Sequence, residues 1–129
     1  MAADVLIPGP DHPITITRTG AHVVARAGTQ VVADSSRTLS LAEASYPAVH
    51  YFPMADVDQA LLRASDSSTH CPYKGDASYY SIAAAPDLEL TDAAWSYRHP
   101  HDAVAEIAGY VAFYPDRIQI EELDHSEPG

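Results

Sequence analysis

The chain has 129 residues, a formal net charge of −11 at pH 7 and an apolar fraction of 47%. This length is enough for one domain with its own hydrophobic core, and no apolar run approaches the roughly 18 to 20 residues of a membrane span. The excess of acidic residues repels a phosphate backbone, so we expect neither nucleic acid nor a membrane as a partner.

Cysteine usage and the N-terminal residues bear on the cellular compartment. Cys71 is the single cysteine, so an internal disulfide is excluded. The first residues lack the basic start and the apolar core of a secretory signal. We therefore expect a protein of the reducing cytoplasm. The sequence gives no indication of the oligomeric state.

Short strands dominate the first half of the chain. Residues 1–13 are rich in Pro, Gly and Asp and are interpreted as an irregular lead-in. Alternating and β-branched residues then predict strands at 14–17, 22–26, 30–34, 38–43 and 49–52. The second and third of these strands flank Gly28, and this pattern predicts a hairpin.

One helix is predicted, over about residues 56–65. Asp56 is a suitable N-cap, and Gln59 follows at the third helical position. Apolar residues then recur at helical spacing, at positions 57, 60, 61 and 64. Residues 65–69 are Ser-rich and predict a turn that ends the helix.

The second half of the chain again predicts strands, at 77–82, 87–90 and 94–97, with a short helical turn at 103–107. Strands at 110–114 and 117–120 are predicted to close the fold as a hairpin, and residues 121–129 form an acidic tail that we expect to fray. Together these elements predict a mainly β fold, a single-domain antiparallel β-sandwich or barrel over residues 14–120.

The most informative stretch is residues 69–79, which holds the only Cys and the only Lys. A Pro- and Gly-bounded loop of this kind is typical of a site held on a rigid scaffold. Lys74 would serve as a base or amine nucleophile if the loop excludes water, or as a contact for an anionic group. The structural alternative is a surface ammonium, or an ion pair with Glu43 or Asp76.

Three further polar residues are candidates. Glu43, paired with Lys74 or a Tyr, would act as a general acid or base, and its alternative is an exposed carboxylate. Arg26 would clamp a carboxylate with two hydrogen bonds, or face outward from its strand. Cys71 would be a reactive thiol beside a cation, but we favour a small buried residue, the commoner fate of cysteine.

An aromatic set rich in Tyr accompanies these residues. Tyr and Trp combine an apolar body with a polar tip, which suits a small planar or hydrophobic ligand. The alternative is that they build the core, and we expect different members to do each. The set comprises Tyr46, Tyr51, Tyr73, Tyr79, Trp95 and Tyr97.

No cofactor and no metal are expected. The chain carries no redox-cofactor motif. His99 and His101 have an H-x-H spacing that His70 and Cys71 would have to complete, but Pro100 separates the two histidines and the spacing is loose.

The string Thr69-x-Cys71-Pro-Tyr-Lys-Gly75-x-Ala77-x-Tyr79, with Tyr51-Phe-Pro53 and Ala94-Trp-Ser-Tyr97, resembles the DUF427 family over roughly residues 14–120. The resemblance implies a small, mainly β domain of uncharacterised activity, to which a nucleotidyltransferase label is sometimes attached. Nucleotidyl transfer needs carboxylates for Mg²⁺ and a phosphate cradle. Asp56 and Asp58 have a D-x-D spacing, but Asp56 is assigned to a helix cap and no P-loop is present.

Three hypotheses on function remain. The first, slightly favoured, is a cofactor-free isomerase, cyclase or hydrolase that acts on a small molecule. The second is a non-catalytic module that binds a small molecule with the same residues, and the third is a protein-interaction domain. The first two require Lys74, Glu43, Arg26 and Trp95 to face one shared cavity.

Overall fold

The computed structural model describes residues 7–85 and 88–123, which form two antiparallel sheets packed as an open sandwich. The strands are β1 (Ile14–Arg18), β2 (His22–Ala27), β3 (Gln30–Ser35), β4 (Leu39–Glu43), β5 (Val49–Pro53), β6 (Leu62–Cys71), β7 (Gly75–Ala85), β8 (Leu88–Ser96), β9 (Tyr110–Phe113) and β10 (Gln119–Leu123). Three 3₁₀ helices span Met54–Asp56, Gln59–Leu61 and Asp102–Ile107. None of the helices in these described ranges is long and apolar enough to cross a membrane.

The larger sheet has seven strands in the order β1-β4-β5-β9-β8-β7-β6, and the smaller has three in the order β10-β2-β3. The predicted antiparallel sandwich is therefore confirmed, as is the β2–β3 hairpin around Gly28, which has a φ of +63°. Positive φ is accessible to glycine at little cost, so this turn closes without strain.

Two hydrophobic clusters occupy the two faces of the seven-stranded sheet. The first lies between the sheets and joins residues such as Val23 and Val32 of the smaller sheet to Phe52 and Phe113 of the larger one. The second lies on the opposite face, where Leu39, Leu41, Tyr51 and Tyr97 pack with two residues of the third 3₁₀ helix, Val104 and Ile107. Successive residues of one strand pack in different clusters, because strand side chains alternate between the two faces of the sheet.

The predicted helix over 56–65 is wrong. The chain forms two single-turn 3₁₀ helices there, and β6 begins at Leu62, which pairs with Ile82. The apparent helical stripe fails because Ala60 and Ala64 are exposed, whereas Val57 is buried and forms a bridge with Ala33 of the smaller sheet. Tertiary pairing therefore outweighs a periodicity that depended on two alanines.

Two other predictions fail for related reasons. The predicted turn at 65–69 lies inside β6, where the register with β7 shifts between Ala64 and Ser68. The predicted closing hairpin does not form, because β9 belongs to the larger sheet and β10 pairs with β2 in the smaller one. The buried Ile118 lies in this crossover and packs in the core between the sheets. β10 also continues to Leu123, past the predicted domain limit at 120, and residues 124–129 lie outside the described ranges.

Candidate functional site

The β6–β7 turn carries the Cys71–Gly75 segment and fixes the position of Lys74. The Lys74 amide donates to the Cys71 carbonyl at 3.2 Å and so closes the turn. The Lys74 carbonyl in turn accepts from the His101 amide at 2.9 Å, which ties the turn to the segment before the third 3₁₀ helix. Gly75 has a φ of +114°, a backbone conformation that residues other than glycine rarely adopt. One hydrogen bond of Lys74 therefore closes the turn, and the other fixes the turn to the neighbouring segment.

Lys74 forms an ion pair with Glu43 at the end of β4. The Lys74 Nζ lies 2.5 Å from Glu43 Oε1, and the two side chains are only 13% and 14% exposed. His12 Nε2 donates to the other carboxylate oxygen, Oε2, at 2.7 Å. The ring of His12 stacks on Tyr73, with centroids 3.8 Å apart. One carboxylate is therefore bonded by an ammonium and an imidazole. We term Lys74, Glu43, His12 and Tyr73 the polar cluster.

The electrostatics of this cluster favour an ionised Glu43. Burial alone would raise the pKa of the Glu43 carboxyl. The hydrogen bonds from Lys74 and His12, with the charge of Lys74, outweigh burial and leave the pKa below its usual value. A carboxylate with a lowered pKa is a weak base at neutral pH, and its direct effect is to hold the positions of Lys74 and His12.

Tyr51 connects this cluster to the aromatic residues of the same sheet face. Its hydroxyl accepts a hydrogen bond from the Trp95 indole N–H at 3.2 Å. Burial raises the pKa of Tyr51 to about 12, and the negative charge of Glu43 adds to the effect. Burial likewise raises the pKa of Tyr97, whose ring centre lies 5.8 Å from Lys74 Nζ. Both phenols are therefore neutral hydrogen-bonding groups at neutral pH.

Three half-buried rings, Tyr79, Trp95 and Tyr114, form what we term the aromatic surface. The Trp95 and Tyr114 ring centres lie 4.5 Å apart, and the hydroxyls of Tyr79 and Tyr114 are 3.3 Å apart. The Thr69 hydroxyl lies 3.0 Å from that of Tyr79. The surface thus offers exposed ring area lined by a row of hydroxyl groups.

Comparison with protein families identifies the chain at this point. A family model described as a domain of unknown function, DUF427, matches residues 15–124. The chain belongs to the DUF427 family. No curated protein matches it. The resemblance seen in the sequence is therefore confirmed, and the description of the family assigns no activity.

Most candidate residues of this DUF427 domain meet on one face of the seven-stranded sheet, but Arg26 does not. Arg26 lies on β2 in the smaller sheet, and its Nε is 3.6 Å from Glu121 of β10. The prediction that Arg26 joins Lys74, Glu43 and Trp95 at one cavity is therefore wrong. Arg26 occupies an outward position of β2, between the buried residues Ala25 and Ala27.

The remaining predicted residues divide between the site and its surroundings. Tyr73 belongs to the polar cluster through its stack on His12. Tyr46 is 67% exposed in the β4–β5 turn and contributes only its backbone amide, which donates to the Glu43 carbonyl. Cys71 is half-buried and packs against the second hydrophobic cluster. Its contacts are those of a packing residue, although Cys71 is less buried than the small buried residue that we favour from the sequence.

The two aspartates of the D-x-D spacing each have a local role in this fold. Asp56 accepts hydrogen bonds from Ser35 at 2.6 Å and from Arg37 at 2.9 Å. Asp58 accepts from the Ala60 amide and caps the second 3₁₀ helix. Within residues 7–85 and 88–123, no three or more His, Cys, Asp or Glu residues gather as a potential metal site.

His12 and Tyr114 are the two site residues that sequence reasoning missed. His12 lies in the segment interpreted as an irregular lead-in, and it precedes the part of the chain that the family model matches. The only signal in the sequence is that His12 lies between Pro10 and Pro13, which restrict the backbone on both sides of it. For Tyr114 a usable signal existed, because Tyr110, Ala112 and Tyr114 alternate and so share one face.

Proposed function

We propose that this DUF427 domain binds a small organic molecule on the aromatic surface, beside the Lys74–Glu43 ion pair, in a site that does not include Arg26. The observation that carries the proposal is the coexistence of half-buried rings and a shielded ion pair on one sheet face. Binding sites for small molecules combine an apolar or aromatic wall with a few fixed polar groups. This combination is what Tyr79, Trp95 and Tyr114 offer together with Lys74.

The chemistry of the wall indicates the class of ligand. Indole and phenol rings stack on flat or apolar groups, and the Tyr hydroxyls hydrogen-bond to polar substituents at the edge. Lys74 has three ammonium hydrogens, of which one is directed to Glu43. The others remain for a ligand acceptor or a neighbouring phenol. We therefore propose a planar or apolar molecule that carries at least one hydrogen-bond acceptor.

A catalytic role is the second candidate, and one specific observation favours it. The Glu43 carboxylate bridges Lys74 and His12, so that it orients an imidazole as catalytic carboxylates do. The His12 imidazole is thereby fixed in position beside the ion pair, as a proton-transferring group must be. The reaction would be a cofactor-free isomerisation, cyclisation or hydrolysis, with Glu43 and Lys74 as the residues that fix and polarise the reacting groups.

The alternative of a protein-interaction module has less support. Its main requirement is a continuous exposed apolar patch. The exposed large apolar residues of the described ranges are Ile7, Tyr46 and Leu88, which come from three separate segments of the chain. We also propose a cytoplasmic location, supported by the single cysteine, and no association with nucleic acid, supported by the net charge of −11.

The test is a screen of a metabolite library by thermal shift, followed by mass spectrometry of each stabilising compound after incubation with the protein. A ligand that binds the folded state raises Tm by mass action. We expect Tyr79→Phe and Trp95→Phe to reduce the shift, and the matched control Tyr46→Phe to leave it unchanged. A shift that all three variants preserve would disprove the proposed location.

The same assay separates binding from catalysis. If the domain is an enzyme, the compound changes mass or isomer during incubation, and Glu43→Gln abolishes the change while the thermal shift persists. If the compound is recovered unchanged at every pH tested, the catalytic candidate is rejected and the binding function stands alone.

A further inference from the structure

A cavity opens at the opposite end of β1 and β4 from Glu43. It has a volume of about 490 Å³, and its lining includes Arg18, Ser36, Arg37, Thr38, Leu39 and Tyr110. In the β1–β4 register, Ile14 pairs with Glu43 and Arg18 pairs with Leu39. Four strand residues at roughly 3.3 Å each separate the two positions by about 13 Å. The cavity is therefore distinct from the Lys74–Glu43 pair. None of its lining residues belongs to the aromatic surface, and its volume suits a small molecule.

The charge of this cavity is opposite to that of the molecule. The chain has 18 acidic and 7 basic residues, yet the described lining contains two arginines and no carboxylate. Arg37 is already paired, because its Nε and Nη2 both donate to Asp56. Arg18 is exposed and forms no ion pair with a residue of the described ranges. One positive charge is thus left over at the cavity, which matches a single negative charge on a ligand.

The rest of the lining favours an organic ligand over a simple inorganic ion. Leu39 is 8% exposed and belongs to the second hydrophobic cluster, against which Tyr110 also packs. These two side chains give the cavity an apolar wall, while Ser36 contributes an exposed hydroxyl near Arg37. An apolar wall facing a guanidinium is the arrangement that binds a carboxylate with a hydrophobic body.

We propose that this cavity is a second ligand site, which binds a small organic carboxylate through Arg18. The guanidinium of Arg18 engages the carboxylate, and the body of the ligand rests on Leu39 and Tyr110. Arg37 stays paired with Asp56 and shapes the rim of the cavity. The site does not depend on the aromatic surface or on any catalytic role of Glu43.

The test uses ¹H–¹⁵N NMR titrations of the full chain with three probes: benzoate, its neutral isostere benzamide, and inorganic phosphate. We expect benzoate to shift the amides of Gly20, Ser36 and Leu39 in a saturable way, with a Kd in the millimolar range typical of such small probes. Benzamide is expected to bind at least about fivefold more weakly, because a charge-assisted hydrogen bond is roughly twice as strong as a neutral one.

Variants of exposed arginines assign the contact. Arg18→Gln is expected to weaken benzoate binding about fivefold or more, and Arg18→Lys, which keeps the charge, to recover part of it. The matched control is Arg63→Gln, which removes an exposed arginine from β6 at the other edge of the seven-stranded sheet. It is expected to leave the Kd for benzoate unchanged.

Four results would overturn the proposal. Benzoate could cause no saturable shifts at the cavity amides, or benzamide or phosphate could bind as tightly as benzoate does. The fourth result is a Kd for benzoate that Arg18→Gln leaves unchanged, as Arg63→Gln is expected to do. None of them bears on the aromatic surface, so the two sites are tested separately.

Discussion

Glu43 is the residue on which the polar cluster depends, because each of its carboxylate oxygens accepts from a different side chain. Removing one partner of a shielded ion pair leaves the other charge without compensation, which costs more than the pair contributes in total. His12 moderates that cost, since it would still donate to Glu43 after Lys74 is lost. The ion pair is therefore a stability determinant as well as a candidate site.

We expect Lys74→Met to lower the free energy of unfolding by about 1–3 kcal/mol. The double variant Lys74→Met/Glu43→Gln should lose less than the sum of the two single variants, because the second change removes the uncompensated charge. Urea denaturation of the four proteins measures this coupling. Strictly additive losses would contradict the ion pair. As a control, Asp34→Asn in the exposed His22–Asp34 pair should change stability by no more than about 0.5 kcal/mol.

The lowered pKa of Glu43 predicts how stability depends on pH. Its ordinary value is 4.5, and its folded value lies below that. The ionised group therefore contributes stability above about pH 4.5, and the contribution is lost as pH falls through the folded pKa. We expect the stability difference between the wild type and Glu43→Gln to shrink as the pH is lowered below that value.

Chemical denaturation at a series of pH values measures this difference. Asp56 has a pKa that the Arg37 hydrogen bond lowers, but Asp56 is present in both proteins, so its titration cancels. A stability difference that stays constant down to the acid limit of folding would show that Glu43 is not bound in its ionised form.

The sequence indicates the chemistry of individual residues better than their placement in the fold. The Lys74–Glu43 ion pair is one of the structural alternatives that the sequence offers for the single lysine, beside a surface ammonium and a pair with Asp76. Arg26 was misplaced, because residue type carries no information on which sheet a strand joins. His12 was missed because it reaches Glu43 across 31 positions of sequence from a segment without periodicity.

The β6–β7 hairpin is the element that positions the site. It delivers Lys74 at its turn, and Thr69 and Tyr79 from its two strands. Its strands are only partly predictable: the strand predicted at 77–82 lies within β7, but the Ser-rich stretch of β6 resembles a turn. That stretch falls where the register shifts, so the local signal was real and indicated an irregularity within a strand instead of its end.

Gly75 is the position where this hairpin is most sensitive to substitution. A Cβ there would meet the His99 carbonyl oxygen at 3.3 Å and would have to adopt a φ of +114°. We expect Gly75→Ala to cost about 1–3 kcal/mol and to displace Lys74 from Glu43. Gly28→Ala is the matched control, because it also has positive φ but meets nothing within 4 Å; its expected cost is about 1–2 kcal/mol.

Urea denaturation gives the two free energies. The larger loss should belong to Gly75→Ala, and only that variant should remove the coupling between Lys74 and Glu43. If Gly28→Ala is the more destabilising of the two, the close approach of the turn to His99 has no energetic role.

The two faces of the seven-stranded sheet differ in composition across the whole molecule. The face that meets the smaller sheet supplies the apolar core between the sheets, whereas the opposite face mixes apolar packing with polar and half-buried aromatic groups. The antiparallel sandwich could be predicted from strand spacing and turn residues. The strand order and the β9–β10 crossover could not, because both depend on pairings between distant segments.

Trp95 allows the most direct test of the proposed ligand site, because it is the only tryptophan and gives the only indole N–H signal in a ¹H–¹⁵N NMR spectrum. A library of planar and apolar compounds bearing hydrogen-bond acceptors should contain members that shift this signal together with the amides of Tyr79 and Tyr114. Arg26→Gln, on the other sheet, should bind the same compounds equally well. If no compound moves the Trp95 indole, or if every compound that binds shifts only amides of the three-stranded sheet, the aromatic surface is not a ligand site.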